Sequence, residues 1–250
     1  MFLVDGPVLV AEALASGLAL EALFVEPEAD GAVVAAARAE GVAVTEVAAG
    51  SLRKVLDLVN PQSMVAVALQ LRHEMATVLA DAATRRRPVL ALGGIQEPGN
   101  AGTLIRVAEA AGCAGVVLTR GSVDLWNPKT VRATAGAVFR VAVATGVDAG
   151  ALLDAAGAAG VATLATVSAG GVAPESCDLG GACVLLVGAE ARGLPAAVEA
   201  AATGRVGIPM AGSVESLNAA VAGSVLAFEA ARQRRGAAGA GCAGNPSGGA

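Results

Sequence analysis

Residues 208–235 read IPMAGSVESLNAAVAGSVLAFEAARQRR. VGIPM is the end of an apolar strand, Ala211 to Glu215 is a loop of small and hydroxyl residues, and a helix follows. Leu217, Val221, Val225 and Phe228 recur at helical spacing, which gives the helix one apolar face. Ser216 or Ser213 is the expected N-cap. Arg232, Arg234 and Arg235 sit where cations suit the negative end of a helix dipole. A strand, a tight loop and a helix N-terminus together present free backbone N–H and C=O groups to a ligand. The same pattern also fits an ordinary strand-to-helix turn.

The rest of the chain sets the frame for this stretch. At 250 residues, 55% of them hydrophobic and 33 of them Gly, it suits one large or two smaller α/β domains. No apolar run is long enough to span a bilayer, and Met1 leads straight into FLVDGP, so no signal peptide is expected. Cys113, Cys177, Cys183 and Cys242 lack CxxC spacing and read as reduced thiols of a cytoplasmic protein. The single His, His73, excludes a multi-His metal site and reads as a solvated linker residue. The net charge of −5 argues against a strongly basic nucleic-acid binder. It is uneven: residues 1–87 carry 7 − 11 = −4 and residues 88–250 carry 10 − 11 = −1. Basic clusters remain at Arg53-Lys54, Arg85-Arg86-Arg87 and Arg232 to Arg235.

Strand and helix patterns alternate along the chain. Helices are predicted at about 7–16, 31–40 and 51–58, with strands at 20–25, 42–47 and 64–69, forming a small α/β unit. The polar stretch near Leu71 to Glu74 marks a boundary, and a helix from Met75 to Arg87 opens the next unit. Further strands are predicted at 89–92, 115–119, 139–143, 161–166, 183–187 and 205–208. Helices are predicted between them at 100–111, 128–136, 150–159 and 195–202. Continuous apolar strands of this kind suit a parallel sheet covered on both faces. Residues 236–250, GAAGAGCAGNPSGGA, lack any pattern and are expected to be disordered.

Two further stretches carry chemistry. GGIQEPGNAGTLIR, 93–106, runs from a strand end through a Pro-Gly-Asn loop into a helix, with Asn100 as the expected N-cap. Arg106 either pairs with Glu109 one turn on or projects into the crevice at the strand ends. GAEARG, 188–193, follows the strand CVLLV and places Glu190 in a tight turn. GxGxxG between a first strand and its helix is missing, as is GxxxxGK[ST], which disfavours a Rossmann dehydrogenase.

Taken in order, PGNAGTLIR (98–106), LLVGAEARGL (185–194) and IPMAGSVESLNAAVA (208–222) resemble the three motifs of the SpoU (TrmH-like) family of SPOUT methyltransferases. NPKTVRATAGAVFR (127–140) also matches that family's pattern. FLVDGPVLVAEAL and LVNPQSMVAVAL resemble the ribosomal-protein-like domain that many members carry first. The resemblance implies a substrate-binding domain over 1–72 and a catalytic domain over 73–235. The latter would be a six-stranded parallel sheet with a deep trefoil knot, working as a homodimer, with no metal. It implies S-adenosylmethionine held by Leu186, Gly188, Ile208, Met210 and Leu217. It implies methyl transfer to a ribose 2′-hydroxyl by Asn100, Arg106, Glu190, Ser216 and Asn218. The ribosomal-protein-like domain points to large-subunit (23S) ribosomal RNA. A transfer RNA target, or a non-catalytic RNA- or cofactor-binding protein of the same fold, are the alternatives. Arg53, Lys54, Arg72, Arg85, Arg86 and Arg87 are the candidates for RNA contact. The chain departs from the family at Gly93, where members often have Asp, and at Ser63, where they often have Gly.

Overall fold

The structure, a computed structural model, describes residues 1–55, 62–189 and 192–242. The first four strands are β1 (Phe2–Asp5), β2 (Leu20–Val25), β3 (Ala43–Glu46) and β4 (Met64–Ala68), in one sheet ordered β1-β4-β2-β3. The short helices α1 (Pro7–Ala15), α2 (Gly31–Ala39) and α3 (Ser51–Val55) connect them; the expected continuation of α3 to Leu58 lies outside the described residues. β1 is an addition to the strands expected from the sequence. It is four residues long, and its only partner among the described residues is β4, sixty or more positions away, as in Phe2 opposite Ala68. Local pattern cannot register such a pairing.

The second sheet contains β5 (Val89–Gly93), β6 (Gly115–Thr119), β7 (Val143–Val147), β8 (Ala162–Thr166), β9 (Cys183–Gly188) and β10 (Gly204–Val206). Its order is β10-β8-β9-β5-β6-β7 and every pairing is parallel. The helices are α4 (Met75–Arg85), α5 (Pro98–Ala110), α6 (Pro128–Ala133), α7 (Ala149–Ala158), α8 (Ala196–Ala201) and α9 (Ala219–Cys242). The twofold alternation of a strand sorts its side chains into two cores. Leu90, Leu92, Leu185 and Val187 pack with Leu104 and Ile105 of α5 and Leu226 of α9. Val89, Ala91, Val184 and Leu186 pack with Val78 and Leu79 of α4 and Leu152 of α7. Both faces are covered, which is why these strands read as unbroken apolar runs.

Three expectations are corrected. The strand predicted at 139–143 starts instead at Val143. Gly136, at φ +87°, opens a 3-10 turn over Ala137–Phe139, which buries Phe139 and Val141 before the chain enters the sheet. α9 continues to Cys242, seven residues beyond the end expected at Arg235; residues 243–250 lie outside the described residues. The apolar face of α9 read from the sequence points outward. Val221, Val225 and Phe228 are exposed, while Ala219, Ala220, Leu226, Ala227, Ala230 and Ala231 are buried. Gly223 explains the geometry: a Cβ there would lie 2.4 Å from Leu104 Cδ2, so α9 approaches α5 through its smallest residues. Arg234 then serves another helix, donating through Nη2 to the carbonyls of Ala111 and Gly112 at the end of α5. Among the described residues, no helix is long and apolar enough to cross a membrane.

Candidate functional site

In the parallel sheet the connection leaving β5 runs one way, to β6, and the connection leaving β9 runs the other way, past β8 to β10. The switch point lies between β5 and β9, and open α/β sheets bind ligands at the carboxyl ends of strands there. A cavity of about 490 Å³ occupies this end of the sheet. Its walls are the loops after β8 (Thr166 to Ala169), β9 (Val187 to Ala189, Arg192 to Leu194) and β10 (Val206, Ile208, Met210, Glu215 to Leu217). Ala219, Ala222 and Leu226 of α9 close it.

Gly188 is required by this wall. A Cβ there would lie 2.4 Å from the Gly193 carbonyl carbon and 2.5 Å from the Leu194 nitrogen, both backbone atoms. The turn after β9 folds back on itself, with Gly193 N–H donating to Ala189 O at 2.7 Å. Gly93 has a related cause. A Cβ there would lie 2.6 Å from Leu194 Cδ2, so Leu194 fills the space that a longer residue at 93 would need. The loop after β5 is pinned by Thr119, whose hydroxyl accepts from Gly94 N–H and donates to Leu92 O, each at 3.1 Å.

The first and third sequence stretches meet beside the cavity. Asn218 Nδ2 donates to Asn100 Oδ1 at 3.2 Å. Asn218, rather than either serine, caps α9, accepting from the N–H groups of Ala220 at 2.9 Å and Val221 at 3.2 Å. Asn100 in turn is not an N-cap: α5 begins at Pro98, so Asn100 lies in its first turn. Arg106 is exposed two turns along α5. Its expected partner Glu109 is taken by Arg140, so Arg106 has no ion pair among the described residues.

Of the predicted cofactor residues, Gly188, Ile208, Met210 and Leu217 line the cavity, as does Ser216. Leu186 does not: its side chain is buried against the α4 and α7 core, and its carbonyl accepts from the Thr166 hydroxyl at 2.8 Å. Glu190 lies outside the described residues. Sequence reading missed the β8 loop and the charged wall residues Arg192, Arg205 and Glu199, the last two paired at 2.9 Å. Only their sheet neighbours reveal them. Arg53 and Lys54 are exposed on α3, and Arg72 is exposed between the two sheets. Arg85 pairs with Asp81 at 2.8 Å, and Arg86 takes the left-handed conformation that ends α4. Arg87 lines a second cavity of about 440 Å³ at the opposite end of the sheet, with His73 and Cys113. Burial pushes the thiols of Cys113 and Cys183 up to about 12. Among the described residues, no cluster of side chains could hold a metal.

Residues 87–228 match the SpoU rRNA Methylase family, and residues 1–66 match the MRM3-like substrate binding domain. The chain is 30% identical to the 23S rRNA (guanosine(2553)-2′-O)-methyltransferase RlmP of Bacillus subtilis, over 91% of this chain and 87% of that protein. It is 33% identical to the 23S rRNA (guanosine-2′-O-)-methyltransferase RlmB of Xanthomonas axonopodis, over 88% and 96%. Among solved structures, an AdoMet-bound rRNA methyltransferase from Sinorhizobium meliloti superposes with a TM-score of 0.80 at 34% identity, covering 93% of this chain and 87% of that one. AviRb of Streptomyces viridochromogenes in complex with AdoMet gives 0.79 at 29%, covering 94% and 91%. With the family matched over more than half its length and the same parallel sheet beneath the cavity, the chain belongs to the SpoU rRNA methylase family.

Proposed function

We propose that this chain transfers a methyl group from S-adenosylmethionine to a ribose 2′-hydroxyl of large-subunit ribosomal RNA. The observation that carries this reading is the contact between Asn100 and Asn218, which joins two distant motifs beside a cavity walled by the Gly188 and Gly193 turn. The cavity fits the cofactor: Gly188 allows close backbone approach, and Ile208, Met210 and Leu217 offer apolar cover for an adenine. The cofactor supplies a methyl group on a sulfonium, ready for nucleophilic attack. Arg106 grips the phosphate beside the target ribose and orients the 2′-hydroxyl, since a guanidinium is a donor and not a base. Its charge stabilises the developing alkoxide as the hydroxyl proton passes to solvent, the O–CH3 bond forms and the S–CH3 bond breaks to leave a neutral thioether. Asn100, Asn218, Ser216 and Glu190 orient the nucleotide and the arginine, and positioning supplies much of the acceleration.

Residues 1–72 serve as the RNA-gripping unit, with Arg53, Lys54 and Arg72 exposed on it. A second copy covers Val221, Val225 and Phe228, giving a homodimer, and the C-terminal loops form the trefoil knot of the superfamily. A ribosomal substrate places the enzyme in the cytoplasm. The test is methyl transfer from isotope-labelled S-adenosylmethionine to unmodified ribosomal and transfer RNA, with nucleosides separated by mass spectrometry. Label should appear in a 2′-O-methyl nucleoside of ribosomal RNA and vanish in Arg106→Ala, with cofactor affinity kept. Label on a base, or cofactor affinity lost as completely as turnover in that variant, would overturn these roles.

A further inference from the structure

Residues 126–140 lie between the N-terminal sheet and α5 and touch both. Phe2 of β1 packs on Trp126 with ring centroids 4.3 Å apart, and on Phe139 at 6.3 Å. These are three of only five aromatic side chains, 4 Phe and 1 Trp, so an almost aromatic-free protein commits most of them to this seam. Asp5 of β1, its side chain 3% exposed, pairs with Arg132 of α6. Arg140 forks: Nη1 donates to Glu12 of α1 at 2.6 Å, while Nε and Nη2 hold both carboxylate oxygens of Glu109 on α5. A Cβ at Gly136 would lie 3.0 Å from Glu12 Cβ. On the far side α6 meets α5 with no clearance, because a Cβ at Gly102 would lie 2.3 Å from Ala133 Cβ. α5 carries both Asn100 and Arg106, and Glu109 follows Arg106 by three residues.

We infer that residues 126–140 are the positioning element for the RNA. They hold the N-terminal sheet in fixed register to α5, and through Arg132 and Arg140 they set which nucleotide reaches Arg106. The inference rests on the reading above, in which residues 1–72 grip RNA and α5 carries the catalytic arginine. A loosely tethered unit would deliver many nucleotides at low effective concentration, whereas a fixed seam delivers one. Small displacements suffice to lose a reactive alignment. Arg132 and Arg140 act through the seam and are positioning residues.

The experiment uses the full chain, S-adenosylmethionine and unmodified ribosomal RNA, comparing wild type with Arg140→Gln, Arg132→Gln and the conservative Arg140→Lys. It reads KM and kcat for RNA, the cofactor Kd by calorimetry, and a map of methylated nucleotides. The glutamine variants should raise KM by about tenfold, the factor that accompanies roughly 1.4 kcal/mol. They should also place label on nucleotides beside the wild-type one, with cofactor Kd unchanged, and Arg140→Lys should restore much of the selectivity. Label confined to the wild-type nucleotide would overturn the inference. So would a parallel loss of cofactor affinity, which marks a merely structural defect. If the wild type itself transfers no methyl to RNA, the parent reading fails; if it does and the variants match it, only this inference fails.

Discussion

Gly188→Ala is the sharpest perturbation of the candidate site. The added methyl would sit 2.4 Å from the Gly193 carbonyl carbon, and ordinary contact begins at 3.4 Å, so something must move by 3.4 − 2.4 = 1.0 Å. The atoms in the way are backbone, so no rotamer change relieves the clash. Overpacking of this kind costs about 1–3 kcal/mol. Part of that falls on the turn at Gly193 and Leu194, which is a wall of the cavity. If the wall absorbs most of it, S-adenosylmethionine affinity drops by roughly five- to more than a hundredfold, at 1.4 kcal/mol per decade. Calorimetric titration of the cofactor measures this directly, with a thermal melt run beside it to show that the variant folds. A Gly188→Ala protein that folds and binds the cofactor as tightly as wild type would refute the assignment of this turn to the cofactor.

The remaining predictions test other parts of the structure. Gly157 sits exposed in α7 with nothing within 4 Å of the place an added methyl would take, so Gly157→Ala should stabilise by about 0.5–1 kcal/mol in urea unfolding; destabilisation would count against the helix there. Phe228 is 47% exposed on α9, so Phe228→Asp should leave the melting temperature nearly unchanged while light scattering moves from dimer to monomer; a monomeric wild type would dismiss the dimer. Cys113 and Cys183 titrate near 12 in the fold against an ordinary 9, so above pH 9 the unfolded chain releases protons that the folded chain keeps. The stabilisation is complete below pH 9 and is lost as pH rises towards 12. Urea unfolding at pH 8 and 10.5 should show that fall, and a Cys113→Ala, Cys183→Ala double variant should flatten it. Equal slopes in the two proteins would show that the thiols are not its source.

Much of the fold was legible because the signals are local. β5, β6 and β9 are continuous apolar runs, and a strand buried on both faces needs no polar alternation. α6 and α7 start where helices were expected, at about 128 and 150, and the structure caps them with Asn127 and Asp148. The candidate site was half legible. Gly188, Ile208, Met210, Ser216 and Leu217 do share one cavity. Leu186 faces the other core: its neighbour Val187 takes the cavity side, and Gly188, on the same face as Leu186, lines the cavity with backbone alone. The capping roles given to Asn100 and to the serines were misplaced, since any short polar residue near a helix start satisfies the same pattern.

The sequence by itself determined the alternation of strands and helices, the order of the three motifs, the absence of a multi-histidine site and the small-residue turns. These depend on residues near one another in the chain. Only the tertiary structure decided which face of α9 is buried. Alanines and Gly223 allow the close approach to α5, so burial went to the small residues and left Val221, Val225 and Phe228 outside. Only it decided that Arg140 would choose Glu109 and Glu12, the latter 128 positions away, and that Asn218 would meet Asn100 at 118. Hydrogen bonds and ion pairs act over a few ångströms whatever the separation along the chain, so folding alone selects their partners.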